Sequence, residues 1–139
     1  MKILIICSKA FYDRISDIKK KLEDIGHEIE LPNCYDDPGV ESRCRGTAEH
    51  SKFKAEMFRK SEETISNMDA VLVLNFDKNG QANYIGGATF LEMYDAFRFC
   101  KKIFLYNDIP EGMLKDEIIG FSPIVINGDL SKVNWGAYG

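Results

Sequence analysis

The chain has 139 residues, of which 45% are hydrophobic and 29% are charged, a composition typical of a single globular domain. Its formal net charge of -4, without a long run of Lys or Arg, argues against a nucleic acid polymer as the main partner. No stretch reaches the roughly 18 consecutive apolar residues that span a bilayer, and "MKILIIC" is too short for a secretion signal. We therefore expect no membrane partner.

Cysteine and histidine usage is typical of a reduced protein. The four cysteines form no C-x-x-C pair, and His27 and His50 lack the spacing of zinc ligands. Two of the cysteines lie in apolar runs, where a reduced side chain packs like a small hydrophobic residue. We therefore expect a cytoplasmic protein without a metal site.

The first part of the chain alternates between strand and helix patterns. "KILIIC" (2–7) is an apolar run typical of a strand buried on both faces. Apolar residues then recur every three or four positions over 11–25, which predicts an amphipathic helix that ends at Gly26. "HEIELP" (27–32) alternates as a more exposed strand. Residues 33–50 contain Pro, Gly and mixed charges, so we expect a long loop.

The rest of the chain continues the alternation. The predicted elements are a helix from about residue 51, strand 70–75, helix 88–100, strand 102–107, helix 112–119 and strand 122–126. Alternating strands and helices, with nearly continuous apolar strands, predict a parallel sheet with helices on both faces. We expect residues 1–139 to form one α/β domain with the flavodoxin-like, doubly wound strand order 2-1-3-4-5, a three-layer α/β/α sandwich.

In such sheets, ligands bind beyond the carboxyl ends of the strands, where the strand order reverses. For this order, the reversal lies between the first and third strands. The loops 8–13 and 76–89 follow these two strands, so we expect them to form the walls of a site.

Glu92, in "GGATFLEMYDAF" (86–97), has two interpretations. Thr89 and Glu92 have the spacing of a capping box, in which Glu92 would bond back to its own helix start. Alternatively, Glu92 points into the crevice, where the helix dipole would favour its ionised form. An ionised carboxylate suits a nucleophile for an oxocarbenium-like transition state, as in cleavage of a glycosidic bond.

The other site candidates lie in the same loops. Asp77 is the expected second carboxylate, or alternatively a solvated residue of a "DKNG" turn. Gly86 and Gly87 would allow close approach of a ligand and positive φ angles, and the N–H groups of the following helix turn would bind an anion or a sugar oxygen. The remaining substrate-binding candidates are Ser8, Phe11, Asn75, Asn83, Tyr84 and Thr89. Phe11 has an alternative role in the core, and Tyr84 in an oligomer contact.

Residues 68–106, "MDAVLVLN…GGATFLEMYDAFRFCKKIFLY", resemble the central block of the nucleoside 2-deoxyribosyltransferase superfamily. The matching positions are Asp69-Ala70 at the strand start, Gly86 and Gly87 in the loop, Glu92 at the nucleophile position, Ala96, and Lys101-Lys102 before the next strand. This resemblance implies a flavodoxin-like fold, homodimers or larger oligomers, and no metal or organic cofactor. It also implies cleavage or transfer at the N-glycosidic bond of a nucleoside or nucleotide by a glutamate nucleophile.

The chain departs from that family at several positions. Gly86 stands where the family often has an Asp six residues before the Glu, and Tyr94 stands where a small residue is usual. A non-catalytic nucleotide- or nucleotide-sugar-binding module on the same fold is therefore the alternative. An interaction protein that uses 33–50 and the tail is a further one. The tail "NWGAYG" would be frayed or would close over the site of a neighbouring subunit.

Cys7, at the end of the first strand, raises the possibility of a phosphatase nucleophile. Such a site needs an Arg at C-x5-R spacing, but that position is Asp13 and Arg14 comes one residue late. The dinucleotide and P-loop glycine patterns are also missing from the sequence. We expect Cys7 to pack in the strand.

Overall fold

The structure is a computed structural model that describes residues 1–138 of the chain. Its strands are β1 Lys2–Ile6, β2 Glu28–Glu30, β3 Ala70–Val73, β4 Lys102–Leu105 and β5 Ile124–Val125. Its α-helices are α1 Ile15–Asp24, α2 Val40–Cys44, α3 Glu49–Ser66, α4 Gly87–Arg98 and α5 Lys115–Gly120. Short 3₁₀ segments cover Lys9–Arg14 and Leu130–Lys132.

The five strands form one sheet in the order β2-β1-β3-β4-β5, and each neighbouring pair is parallel. In the centre of the sheet, Ile3 lies beside Ala70, and Ala70 lies beside Lys102. The predicted α/β class, strand order and parallel sheet are confirmed. The reversal of strand order lies between β1 and β3.

Each face of the sheet is covered by a separate apolar layer. One layer joins the sheet to α1 and to the chain after β5, through Ile3, Ile5, Ile15, Leu22, Ile126 and Val133. The other joins it to α3, α4 and α5, through Leu4, Ile6, Ile65, Met93, Ala96 and Ile118. Burying one such Ile or Leu side chain contributes about 1.5–3 kcal/mol. Strands buried on both faces explain the continuous apolar runs of β1 and β3.

Three local predictions need correction. The helix expected over 11–25 begins as the 3₁₀ segment Lys9–Arg14 and becomes α-helical at Ile15. The loop expected over 33–50 contains α2, and α3 begins at Glu49. The helix expected over 112–119 begins at Lys115. The Val133 carbonyl oxygen, just before the NWGAYG tail, lies 3.0 Å from His27 Nε2, but Trp135 and Tyr138 in that tail are 62% and 87% exposed, so both alternatives for the tail stay predictions.

Within residues 1–138, no helix is both long and apolar enough to cross a membrane.

Candidate functional site

A cavity of about 530 Å³ lies beyond the carboxyl ends of β1 and β3, at the predicted reversal of strand order. One wall comes from the loops after these strands and from the start of α4: Cys7, Ser8, Lys78, Tyr84, Gly86 and Glu92. The facing wall comes from the chain between β2 and β3: Asn33, Glu41, Arg45, Lys54, Met57 and Ser61. The crevice is open, with room for a small polar molecule.

Glu92 points into this cavity. Helix α4 has Gly86 as its N-cap and no side-chain cap bond, and Thr89 is buried inside the helix. The capping-box interpretation of Glu92 is therefore wrong. The Glu92 carboxylate instead accepts a hydrogen bond from the Ser61 hydroxyl, with Oγ and Oε2 3.2 Å apart.

Ser61 and Asn33 hold the Glu92 carboxylate from the facing wall. The Asn33 side-chain amide donates to Ser61 Oγ at 2.7 Å and to the Met57 carbonyl oxygen at 3.2 Å. Ser61 is buried, so its hydroxyl has few alternative partners. This chain of bonds fixes one oxygen of Glu92, and the other oxygen makes no hydrogen bond within residues 1–138.

The pKa of Glu92 is raised to about 7, mainly by burial, and the nearby Asp95 carboxylate acts in the same direction. The hydrogen bond from Ser61 and the charge of Lys54 act in the opposite direction. Glu92 stands in the second turn of α4, beyond the first turn where the helix dipole acts most strongly. The expectation that the helix dipole favours the ionised form of Glu92 therefore needs correction, because burial outweighs any such effect and raises the pKa.

The loop before α4 is built around a tight turn. Lys78 and Gln81 exchange two backbone hydrogen bonds of 2.9 Å, and Asn79 and Gly80 between them have the positive φ angles that a two-residue hairpin requires. This turn brings Lys78 Nζ to 4.6 Å from the centre of the Tyr84 ring and to 3.3 Å from Ser8 Oγ. The Gly- and Asn-rich composition of the loop thus places Lys78 and Tyr84 in the pocket wall.

Asp77 and Asn83 are expected site residues that the structure places outside the pocket lining. Asp77 is exposed, and its Oδ1 accepts a hydrogen bond from the Asn83 backbone N–H at 3.1 Å. Asn83 has a φ of 55°, a conformation that leaves this N–H without a regular partner. The position supports the alternative role of Asp77 in the turn and does not support a second catalytic carboxylate.

Asn75 and Phe11 also lie away from the cavity, which corrects their expected role in binding. Asn75 is fully buried, and its amide bonds to the chain after β4, at Asn107 N (2.8 Å) and at the carbonyl oxygens of Asn107 (3.1 Å) and Asp108 (3.0 Å). Phe11 packs edge-on against Phe76 in the core, with ring centres 5.4 Å apart. Both residues support the scaffold.

The remaining expected residues, Ser8, Tyr84, Gly86, Gly87 and Thr89, all line the pocket. Neither glycine has the positive φ that we expected. A Cβ at Gly86 would lie 3.2 Å from the Tyr84 hydroxyl, so Tyr84 occupies the space of a side chain at that position. A Cβ at Gly87 would meet nothing within 4 Å, so this backbone is open to a ligand.

Cys7 lines the pocket but lacks the features of a phosphatase nucleophile. Burial raises the pKa of its thiol to about 12, with a further contribution from Glu92, so the thiolate is scarce. The Arg14 guanidinium lies outside the pocket lining, 4.0 Å from the centre of the Phe76 ring. The expectation that Cys7 packs at the strand end agrees with this geometry.

Sequence reasoning missed the facing wall. Glu41 accepts contacts from the Nζ atoms of Lys54 (3.1 Å) and Lys9 (3.4 Å), from His50 Nε2 (3.0 Å) and from Arg45 (3.6 Å). The hydrogen bond from His50 is the largest cause that lowers the pKa of Glu41 to about 2, followed by Lys54 and Lys9. The sequence feature that could have indicated this wall is the position of residues 33–50 directly after β2, next to the reversal of strand order.

No protein-family model and no curated protein matches the chain. Among solved structures, it is similar to the 2-deoxyribosyltransferase of Bacillus psychrosaccharolyticus, with 19% identity and a TM-score of 0.64 over 99% of this chain and 93% of that one. It is also similar to the CMP N-glycosidase BcmB of Clostridium botulinum, with 16% identity and a TM-score of 0.55 over 96% of this chain and 98% of that one. The resemblance first stated for residues 68–106 thus extends, as a shared fold, over nearly the whole chain.

Proposed function

We propose that this protein cleaves the N-glycosidic bond of a nucleoside or nucleotide, or transfers its deoxyribosyl group, with Glu92 as the nucleophile. The observation that carries the proposal is the orientation of Glu92, which bonds to Ser61 across the cavity instead of capping α4. The fold likeness to a deoxyribosyltransferase and a CMP N-glycosidase supports the same class of reaction.

In the proposed first step, the free oxygen of the ionised Glu92 attacks the anomeric carbon of the sugar. The bond from this carbon to the base nitrogen breaks, and the base leaves with the electron pair and takes a proton from water. In the second step, water or another base attacks the anomeric carbon and loses a proton to solvent, while the bond to Glu92 breaks and regenerates its carboxylate. The open cavity admits this second nucleophile, as in retaining glycosidases.

The pKa of Glu92 suits this cycle. A carboxylate with a pKa of about 7 is a stronger base than an ordinary surface glutamate, and it is ionised in half of the molecules at neutral pH. The Ser61 hydroxyl stabilises the ionised form that begins the cycle and is regenerated at its end. Ser61 and Asn33 act as positioning residues in this proposal.

We assign substrate contacts to the pocket-lining residues only. The Tyr84 ring can stack on a base or sugar face, and the backbone at Gly87 is open to polar groups of the substrate. Ser8 Oγ lies in the same wall, where it can bond to a hydroxyl or phosphate oxygen.

The proposal is tested by incubating the protein with a panel of nucleosides and deoxynucleoside 5′-monophosphates and detecting free base by chromatography. Release of at least one base, with loss of this release in Glu92→Gln, supports the enzyme. Glu56→Gln is the matched control, because Glu56 is exposed on α3 and does not line the pocket.

The second candidate is a non-catalytic nucleotide- or nucleotide-sugar-binding module. Asp77 lies outside the pocket lining, and Gly86 has no carboxylate, so neither can act as a second catalytic acid. Glu41 is the other carboxylate in the pocket lining, but basic side chains already bind it. The lack of a second free carboxylate favours the module. Ligand-dependent thermal stabilisation without any base release, across the same panel, would favour this module over the enzyme.

We further propose that the protein forms a homodimer or larger oligomer through the apolar face of α4, defined as Leu91, Tyr94 and Phe97. Their side chains are 44%, 49% and 47% exposed, although they are large and apolar. The rings of Tyr94 and Phe97 pack at tilted angles against Phe121, with ring centres 6.3 and 5.6 Å apart, which makes the patch continuous.

The cytoplasmic location of the protein also stays a prediction.

A further inference from the structure

The pocket lining has the opposite charge from the protein as a whole. The chain carries a formal net charge of -4, whereas the cavity is lined by the basic side chains of Lys9, Arg45, Lys54 and Lys78. Among residues 1–138, the carboxylates in this lining are those of Glu41 and Glu92. A cavity with excess positive charge concentrates anionic ligands.

Glu41 pairs with three of these basic side chains without cancelling their total charge. Lys9, Arg45 and Lys54 come from the 3₁₀ segment, from the end of α2 and from α3, and each lies within 3.6 Å of a Glu41 oxygen. One carboxylate neutralises one unit of charge, so the cluster keeps a net positive charge. Long basic side chains that are already held in place lose less entropy when they bind an anion.

Lys78 extends the positive surface to the other wall. No ion pair among residues 1–138 includes Lys78. Its ammonium group donates to Ser8 Oγ at 3.3 Å, and Ser8 is followed directly by Lys9, which reaches Glu41. The basic wall therefore runs continuously from Lys78 through Ser8 and Lys9 to Lys54.

The basic wall and Glu92 are far enough apart for one substrate molecule to contact both. Lys54 and Ser61 are seven residues apart on α3, which corresponds to about 10 Å at 1.5 Å per residue. Ser61 contacts the Glu92 carboxylate directly. A sugar that presents its anomeric carbon to Glu92 would thus extend its 5′ end toward the basic side chains.

We propose that the pocket selects a nucleoside 5′-monophosphate over the unphosphorylated nucleoside, and that Lys9, Lys54 and Lys78 bind the phosphate. This inference rests on the proposed function, because it assumes a nucleoside sugar at Glu92.

The test measures binding by calorimetry in the Glu92→Gln protein, which does not consume the ligand. A deoxynucleoside, its 5′-monophosphate and inorganic phosphate are titrated separately. We expect the monophosphate to bind at least about tenfold more tightly than either of the others, with the preference falling as salt is raised. Equal affinity for nucleoside and monophosphate would overturn the proposal. Inorganic phosphate that binds as tightly as the monophosphate would also overturn it, because the wall would then be a site for free anions.

Lys54→Met and Lys78→Met, each made in the Glu92→Gln protein, test the residues that bind the phosphate. Methionine keeps an apolar stem and removes the charge, and melting curves confirm folding. We expect each change to weaken monophosphate binding about tenfold, whereas Lys52→Met, an exposed control on α3, leaves it unchanged. A preference for the monophosphate that survives both changes would contradict the assignment.

The outcomes separate this inference from the proposed function. Equal rates of base release from nucleosides and monophosphates would preserve the enzyme and overturn the phosphate selection. Tight, lysine-dependent binding of monophosphates without base release would support the phosphate site and overturn the enzyme.

Discussion

The Ser61 hydroxyl on α3 donates a hydrogen bond to the Glu92 carboxylate on α4, across the carboxyl ends of β1 and β3. This contact joins the two walls of the cavity. The hydrogen bond favours the ionised form of Glu92, so it lowers the pKa that burial raises. The pKa of Glu92 therefore depends on a residue that is distant in the sequence.

Ser61→Ala tests this contact. Loss of the hydrogen bond removes the main influence that lowers the pKa of Glu92, so we expect the pKa to rise by about one unit. The rising limb of kcat/KM against pH therefore shifts to higher pH by the same amount, and activity at pH 7 falls up to about tenfold. Ser61→Thr keeps the hydroxyl and should restore the profile. An unchanged pH midpoint in Ser61→Ala would show that the contact is only structural.

Burial of Glu92 should make stability depend on pH. Its pKa is about 7 in the folded protein and 4.5 in the reference state, so the unfolded chain ionises first as the pH rises. Stability is therefore lost between pH 4.5 and 7, by about 3 kcal/mol, and stays lower above that range. The side chain of Glu92→Gln does not titrate, so the free energy of unfolding of this variant should match that of the wild type at pH 4.5 and exceed it at pH 8.

Chemical denaturation at a series of pH values checks this difference, with Glu56→Gln as the control that follows the wild type. Parallel stability curves for Glu92→Gln and wild type would mean that Glu92 has the same pKa in the folded and unfolded protein. That result would remove the basis for a nucleophile with a raised pKa.

Asn75→Ala separates support of the scaffold from substrate binding. The buried amide of Asn75 makes three hydrogen bonds to the backbone of Asn107 and Asp108, so its loss should destabilise the protein by about 2–4 kcal/mol. Asn67→Ala is the exposed control and should change stability by less than about 1 kcal/mol. Below the melting range, KM should stay unchanged in Asn75→Ala. A large rise in KM with little loss of stability would return Asn75 to the binding site.

Phe97→Glu tests the apolar face of α4 as an oligomer contact. A charge at the centre of a contact between two copies should dissociate it, so light scattering should report a dimer or larger assembly for the wild type and a monomer for the variant. Ile25→Glu is the control, because Ile25 is 54% exposed at the end of α1, on the opposite side of the sheet. A monomeric wild type at micromolar concentration would contradict the proposal.

The fold was predictable because its signals are local. β1 and β3 are apolar on both faces, and α1 carries an apolar stripe, so burial alone selects strand and helix there. The strand order and the position of the cavity followed from the rules for doubly wound sheets. The direction of Glu92 did not follow, because an S/T-x-x-E pattern is compatible with a cap as well as with a site.

Much of the site could not be predicted because it depends on how distant segments meet. The end of β3 borders two loops, and Asn75 bonds to the loop after β4 while Tyr84 faces the cavity after β1. In the sequence, nothing distinguishes Ser61 from other serines in a charged helix. Its contact with Glu92 exists only because α3 packs beside α4. The basic side chains around Glu41 come from separate segments without a shared motif.

The most direct measurement is the rate of base release from a deoxynucleoside 5′-monophosphate by three proteins: the wild type, Glu92→Gln and Asp77→Asn. Both variants replace a carboxylate by its amide, but only Glu92 lines the cavity. We predict that Glu92→Gln lowers the rate by at least about 10³-fold, while Asp77→Asn stays within about threefold of the wild type. Full activity of Glu92→Gln, or equal losses in both variants, would contradict Glu92 as the nucleophile.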